Sequence, residues 1–434
     1  MRFYSTQNKS AFYSLSDAVL KGLPEDNGLF MPETIPSLPV DFIKNIKQKT
    51  FPEIAFEIAK LFLKDDVPEV EIKRIVDTAI SFDAPLVKLD VNTFILELFH
   101  GPTLAFKDFG ARFMAQLMSY LIRNQKKKIT ILVATSGDTG SAVANGFYKT
   151  AGIEVIILYP SKKVSFLQEK QLTTLGENIT ALEINGTFDD CQRLVKTAFL
   201  DHDLKERYNL ASANSINIAR LIPQSFYYFE GFRQAPEGDK VVFSVPSGNF
   251  GNLTAGLIAK KMGLPVHHFI ASVNSNDVFP KYLASGKYKP VPSIQTYSNA
   301  MDVGNPSNFA RIIDLYDNDV ALINNDISSY SFSDQETLAA MQEVKVSGEY
   351  LLDPHGAVGY LGWKKYSQVH PGTTGIILET AHPAKFIDVV EKNPGIRVTV
   401  PFELQSLSHK EKQAFQLTVD FSAFKSFLME REID

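Results

Sequence analysis

The stretch Ile129-Thr130-Ile131-Leu132-Val133-Ala134-Thr135-Ser136-Gly137-Asp138-Thr139-Gly140-Ser141-Ala142-Val143-Ala144-Asn145-Gly146-Phe147-Tyr148 decides the fold. Its first six residues are apolar and β-branched, the pattern of a short buried strand. A glycine-containing turn follows, and Ser141 to Tyr148 reads as helix. Gly152 stops that helix, and Ile153 to Tyr159 is a second β-branched run. Strand, tight loop, helix and strand within about thirty residues make a βαβ unit, and hence a parallel sheet.

The unit recurs downstream. Lys240 to Val245 is a strand, Pro246-Ser247-Gly248-Asn249-Phe250-Gly251-Asn252 a turn, and Leu253 to Met262 a helix that Gly263 and Pro265 end. Val266 to Val273 is the next strand, and a further one, Gly375 to Thr380, runs into Ala381-His382-Pro383-Ala384-Lys385. Two doubly wound α/β domains are the simplest account, one over residues 94–235 and one over 236–434. Residues 1–93 mix helical patches with turns and are expected to form a mainly helical N-terminal subdomain. Ligands of such folds bind at the carboxyl ends of the strands, where all three of these loops begin.

The chain has 434 residues, 44% of them hydrophobic and 21% charged, with a formal net charge of −5. That acidity argues against nucleic acid as a partner, because phosphate-backbone binders need a basic surface. The basic cluster Lys126-Lys127-Lys128 reads as a solvated loop or helix end. No apolar run approaches the ~20 residues of a membrane helix, and no secretory signal core opens the chain. The lone cysteine, Cys191, excludes an internal disulfide and reads as a core residue of a cytoplasmic protein. No H-E-x-x-H, C-x-x-C or G-x-S-x-G is present, nor either nucleotide-binding glycine motif, so no metal is expected. His267 and His268 alternate faces of a strand and read as structural.

Three segments carry chemistry. Ser247 to Asn252 places glycines at a helix start, where backbone N–H groups and the helix dipole suit a phosphate monoester; a plain strand-to-helix turn is the other reading. Thr135 to Gly140 has the same position in the earlier unit and suits a carboxylate, or Ser136 or Asp138 simply caps the helix. In Phe106-Lys107-Asp108-Phe109, Phe109, Phe113, Leu117, Tyr120 and Leu121 follow at helical spacing, which puts Lys107 near a helix start. Burial and the dipole there both disfavour an ammonium, the condition for a nucleophilic amine. Without context, a surface lysine paired with Asp108 is the simpler reading.

These segments together resemble the threonine synthase family, in its long bacterial and fungal branch. The resemblance is carried by His100 to Gly110, Ala134 to Ser141, Ser247 to Asn252 and Ala381 to Phe386, with Asn27 to Pro32 and Ser212 to Asn217 fitting the same family. It spans nearly the whole chain. It implies a fold-type-II enzyme, akin to the tryptophan synthase β-subunit, with pyridoxal 5'-phosphate as cofactor. The implied reaction turns O-phospho-L-homoserine and water into L-threonine and phosphate. Lys107 would carry the cofactor as a Schiff base and then act as the base at Cα and Cβ. Gly248, Asn249, Phe250, Gly251 and Asn252 would hold the cofactor phosphate, and Thr380 would meet the pyridine nitrogen. Thr135, Ser136, Gly137 and Thr139 would face the substrate carboxylate and cofactor ring, with Asp138 at the cofactor's phenolic oxygen. Lys163 and Arg220, each near a strand end or helix start, are expected to grip the substrate phosphate. The oligomeric expectation is a monomer or a homodimer. The rival readings are another enzyme of the fold type, such as a serine or threonine dehydratase, and a non-catalytic phosphate-ligand-binding protein.

Overall fold

The computed structural model describes residues 1–431 apart from Lys126 and Ser136. Its strands, in chain order, are β1 (Phe3–Ser5), β2 (Asn8–Tyr13), β3 (Phe30–Pro32), β4 (Leu86–Asp90), β5 (Thr93–Glu97), β6 (Ile129–Ala134) and β7 (Ile153–Pro160). They continue with β8 (Ile179–Ile184), β9 (Asn209–Ala211), β10 (Lys240–Pro246), β11 (His268–Val273), β12 (Ile327–Ser331), β13 (Thr373–Glu379) and β14 (Phe415–Leu417). Three sheets result. The smallest has the order β2-β1-β3, the next β14-β8-β7-β6-β9, and the largest β12-β11-β10-β13-β5-β4.

The middle sheet is parallel throughout, and the largest is parallel except for its edge strand β4. Every residue of β6, β8, β11 and β13 is buried, as strands covered by helices on both faces must be. Between the two large sheets runs the helix Ile218–Gln234, buried from Ile218 to Gly231. It packs against the helices Phe51–Leu63, Lys107–Ile122 and Gly251–Lys261. The first of these is capped by Thr50, has a proline in its first turn, and buries Phe51, Ile54, Ala55, Ile58, Ala59, Phe62 and Leu63.

Sheet membership departs from the expected division in three places. The first 93 residues hold the antiparallel β1–β3 sheet as well as helices, short strands whose polar Asn8-Lys9-Ser10 hid their pattern. β4 and β5, at the junction of the first two expected segments, belong to the largest sheet, where β5 lies parallel to β13. β14, far into the third segment, returns to pair with β8, and the helix Phe421–Glu430 follows it. In the last two places, hydrogen bonding between strands more than two hundred residues apart decides the membership, and hydropathy along the chain does not encode it.

No helix among the described residues is long and apolar enough to cross a membrane. Cys191 is buried, and burial pushes its thiol up to about 12. His268 bonds the Ser328 hydroxyl at 2.9 Å and stacks on Tyr366, a structural arrangement.

Candidate active site

The loops after β5, β6, β10 and β13 all leave carboxyl ends of parallel strands. The segment before Lys107 is stitched to the loop after β13. Phe106 N–H donates to the Thr380 carbonyl at 2.8 Å, His382 N–H to that of Leu104 at 3.0 Å, and Ala105 bridges Ala381. Lys107 opens the helix Lys107–Ile122 and is half-buried, with Phe106 beside its ammonium. Desolvation lowers its proton affinity, Lys385 and Arg220 push the same way, and Asp138 and Asp353 oppose them.

Asp138 begins the helix Asp138–Phe147. Burial alone would raise its carboxyl, but Lys385 and Lys107 hold it well below the usual range. Lys385 Nζ lies 2.7 Å from Asp138 Oδ1 and 2.7 Å from the Thr103 carbonyl oxygen, and Gln168 donates to the same Asp138 oxygen at 2.9 Å. The turn itself is closed by Thr135, whose Oγ1 accepts from Gly137 N–H at 3.0 Å and Gly140 N–H at 2.8 Å. Gly137 adopts φ 146°, and a Cβ there would meet the Gln168 side chain at 2.7 Å. Thr139 is half-buried, and Ser136 lies outside the described residues.

Arg220 is buried at 2% exposure. Among the described residues its side chain donates once, to the Ala213 carbonyl at 2.8 Å, and its Nε meets no partner. Burial lowers the guanidinium to about 10, a large desolvation for a cation without a contacting carboxylate. Lys163 is different. It sits exposed in the turn after β7 and is not among the charges bearing on Lys107. Of the two expected phosphate-gripping cations, Arg220 is among the charges that bear most on Lys107, and Lys163 lies in the exposed turn after β7.

The loop from Ser247 to Asn252 is held rigidly between β10 and the helix Gly251–Lys261. Phe250 takes a left-handed conformation, φ 57°, and turns the chain into the helix Gly251–Lys261. Gly248 leaves no room for a side chain, since a Cβ would lie 2.7 Å from Met301 Cα. Asn249 is held by three contacts: its Nδ2 donates to Ser215 Oγ at 2.7 Å, its Oδ1 accepts from Ser307 N–H at 2.6 Å, and its carbonyl accepts from Asn308 at 3.0 Å. Asn252 Oδ1 accepts from Tyr227 and Tyr228 at 2.6 and 2.8 Å, while its Nδ2 is buried without a partner. Thr380 is buried at the end of β13.

Sequence reasoning assigned no role to Lys385, Gln168, Asp353, Ser215 or Asn308. Lys385 stood in a quoted run, but its partner is 247 positions away. Ser215 also stood in a quoted run, Ser212 to Asn217, while Gln168, Asp353 and Asn308 carried no local signal, because each matters through what the fold sets beside it.

The family model for pyridoxal-phosphate dependent enzymes matches residues 81–379. Those described as threonine synthase N terminus and threonine synthase, C-terminal, match residues 2–80 and 356–428. Threonine synthase of Haemophilus influenzae is 45% identical over 431 residues, covering 99% of this chain and 100% of that one. The chain belongs to the threonine synthase family. The Escherichia coli member is 42% identical over 434 residues, and its crystal structure superposes with a TM-score of 0.92 over 100% of both chains. The pyridoxal-phosphate-bound threonine synthase from Brucella melitensis, 34% identical, gives 0.93 over 99% of this chain and 98% of that one. A tomato threonine deaminase, 16% identical with a TM-score of 0.57, shares the fold alone. The cofactor of the family is pyridoxal phosphate, and the glycine cradle, the unpartnered Asn252 amide and the desolvated Lys107 fit such a group in this threonine synthase family member.

Proposed function

We propose that this chain converts O-phospho-L-homoserine and water into L-threonine and inorganic phosphate, with Lys107 as the cofactor-bearing lysine and catalytic base. One observation carries the reading: Asp138 and the buried Arg220 both bear on Lys107, at the carboxyl ends of parallel strands, in a chain that matches its family end to end. Gly248, Asn249, Phe250, Gly251 and Asn252 would hold the cofactor phosphate, Thr380 its pyridine nitrogen and Asp138 its phenolic side. Bound there, pyridoxal phosphate supplies an electron sink that acidifies the substrate's Cα and Cβ hydrogens.

The protein's own contribution is placement and proton transfer. The Thr135–Thr139 turn, at a helix start, suits the substrate carboxylate. Arg220, with an unused Nε donor in a dry setting, suits the phosphate that departs from Cγ, and its desolvation strengthens that attraction. Lys107, on a flexible stem and holding its proton weakly, takes protons at Cα and Cβ and returns one at Cγ, where the methyl group forms. Water then gives its hydroxyl to Cβ and its other proton to the released phosphate, and Lys107 returns the second proton at Cα. The buried, lone Cys191 supports a reducing compartment, the cytoplasm, as the place of action.

Threonine and phosphate formation from phosphohomoserine tests the reading. Wild type is expected to turn over and to show a visible band that borohydride removes, with the label on Lys107. Lys107→Ala is expected to lack both. Turnover by Lys107→Ala at the wild-type rate would refute the assignment, and a wild type inert toward phosphohomoserine would refute the reaction.

A further inference from the structure

Lys385 has no part in the chemistry above, yet its side chain is fully buried. An ammonium survives in such a place only where bonds and a counter-charge offset its desolvation. Thr103 supplies a carbonyl and Asp138 the counter-charge, both at 2.7 Å. Asp138 also faces Lys107, so two lysines share one carboxylate. The contact belongs to Lys385, and Gln168 donates to the same oxygen, Oδ1.

Among the described residues, the charges that bear most on Lys107 come from four elements. Asp138 comes from the start of the helix Asp138–Phe147, and Lys385 from the turn Pro383–Phe386. Arg220 comes from the helix Ile218–Gln234, and Asp353 caps the helix Pro354–Ser367. Asp353 is already engaged: its Oδ1 accepts from the His355 N–H at 2.6 Å and contacts His355 Nδ1 at 2.6 Å, and its Oδ2 accepts from Ala381 N–H at 3.2 Å. Asp138 is therefore the carboxylate whose partner choice matters for Lys107.

We propose that Lys385 is a positioning residue for Lys107: by holding Asp138 in a tight ion pair, it denies Lys107 a carboxylate partner and keeps that amine free of its proton. The proposal rests on Lys107 being the cofactor lysine. Were Lys385 uncharged, Asp138 would turn to Lys107 and hold it as an ammonium, unable to attack an aldehyde or take a proton from carbon. The aspartate is tolerable beside the reacting lysine because a second lysine occupies it.

The test follows capture of pyridoxal phosphate by the full-length chain freed of cofactor, over a range of pH. The rate at which the visible band grows reports the unprotonated fraction of Lys107. Lys385→Met is expected to move the midpoint up by about one pH unit or more, roughly a tenfold slower capture at neutral pH. Lys385→Arg is expected to stay near wild type, and Lys385→Met with Asp138→Asn to return toward it. Asp138→Asn alone moves the midpoint down, and Lys385→Gln, which removes the charge but keeps a donor for the Thr103 carbonyl, carries the same expectation as Lys385→Met and decides the matter if that variant folds poorly. A purely structural role for Lys385 would lower Tm and leave the midpoint in place, and that result overturns the proposal. Borohydride reduction separates the two ideas. Cofactor found on another lysine overturns the Lys107 assignment and the proposal with it, whereas cofactor on Lys107 with an unmoved midpoint overturns the role of Lys385 alone.

Discussion

Gly248→Ala offers the sharpest measure of how tightly the anion cradle is built. The added methyl would sit 2.7 Å from Met301 Cα and 3.2 Å from the Ala300 carbonyl oxygen, the first about 0.7 Å short of ordinary contact. Both obstacles are backbone. Met301 is tied through its N–H to Ser298 and through its carbonyl to Val303, at 2.9 and 2.8 Å. Asn274 clamps the same segment from behind, donating to Ser298 Oγ at 3.1 Å and Asp302 Oδ1 at 2.9 Å. The wall cannot retreat by rotating a side chain, so the loop must move. Overpacking of this kind costs about 1–3 kcal/mol. Imposed on the loop proposed to hold the cofactor phosphate, it is expected to weaken pyridoxal phosphate binding by about 5- to 150-fold. Titration of cofactor-free protein by visible absorbance gives the Kd, with Tm measured in parallel. A Kd within twofold of wild type at unchanged Tm would refute the steric reasoning.

Other outcomes follow from single contacts. Burial, with Asp353 beside it, holds the Glu379 carboxyl well above its usual 4.5, so the folded state binds the extra proton and stability falls as pH rises past that value. Glu379→Gln is therefore expected to raise Tm at mildly alkaline pH and to change it little near about pH 4, and the reverse order in thermal melts would contradict the sign. Arg311, fully buried, donates to the carbonyls of Phe30 and Ile216 and to Asn308 Oδ1. Arg311→Met should cost about 3–5 kcal/mol in urea unfolding and also weaken the cofactor, because Asn308 holds the Asn249 carbonyl. A Cβ on Gly375 would lie 2.2 Å from Trp363 Cδ2, in a ring pinned by its bond to Thr93 at 2.9 Å. Gly375→Ala should lower stability by about 1–3 kcal/mol while kcat of the folded fraction is unchanged.

What the sequence disclosed was whatever is local. The β-branched runs of β6, β7, β10 and β13 announced a parallel sheet because both faces of each strand are covered. Lys107 fell at a helix start because the apolar spacing after it is helical, and the turns at Gly137 and Gly248 mark backbone that no side chain fits. What stayed hidden depends on distant chain. The pairing of β5 with β13, and of Lys385 with Asp138, joins residues more than two hundred positions apart. Lys163 shows the converse limit. Its residue type and place after a strand suggest a phosphate ligand, but neither encodes that the turn after β7 leaves it exposed.

The return of β14 to the middle sheet has a consequence in time. β8 ends at Ile184 and acquires its outer neighbour only at Phe415, roughly 230 residues later. At ordinary rates of synthesis, about 5–20 residues per second, that strand edge goes unpaired for some 12 to 45 seconds on the ribosome. Phe424 and Leu428, which close the apolar cluster beneath it, arrive last of all. An unpaired parallel edge is a template for other strands. The nascent chain therefore carries this open strand edge for about half of its translation, and conditions that slow elongation, or truncations before β14, should be felt as aggregation rather than as loss of a tail.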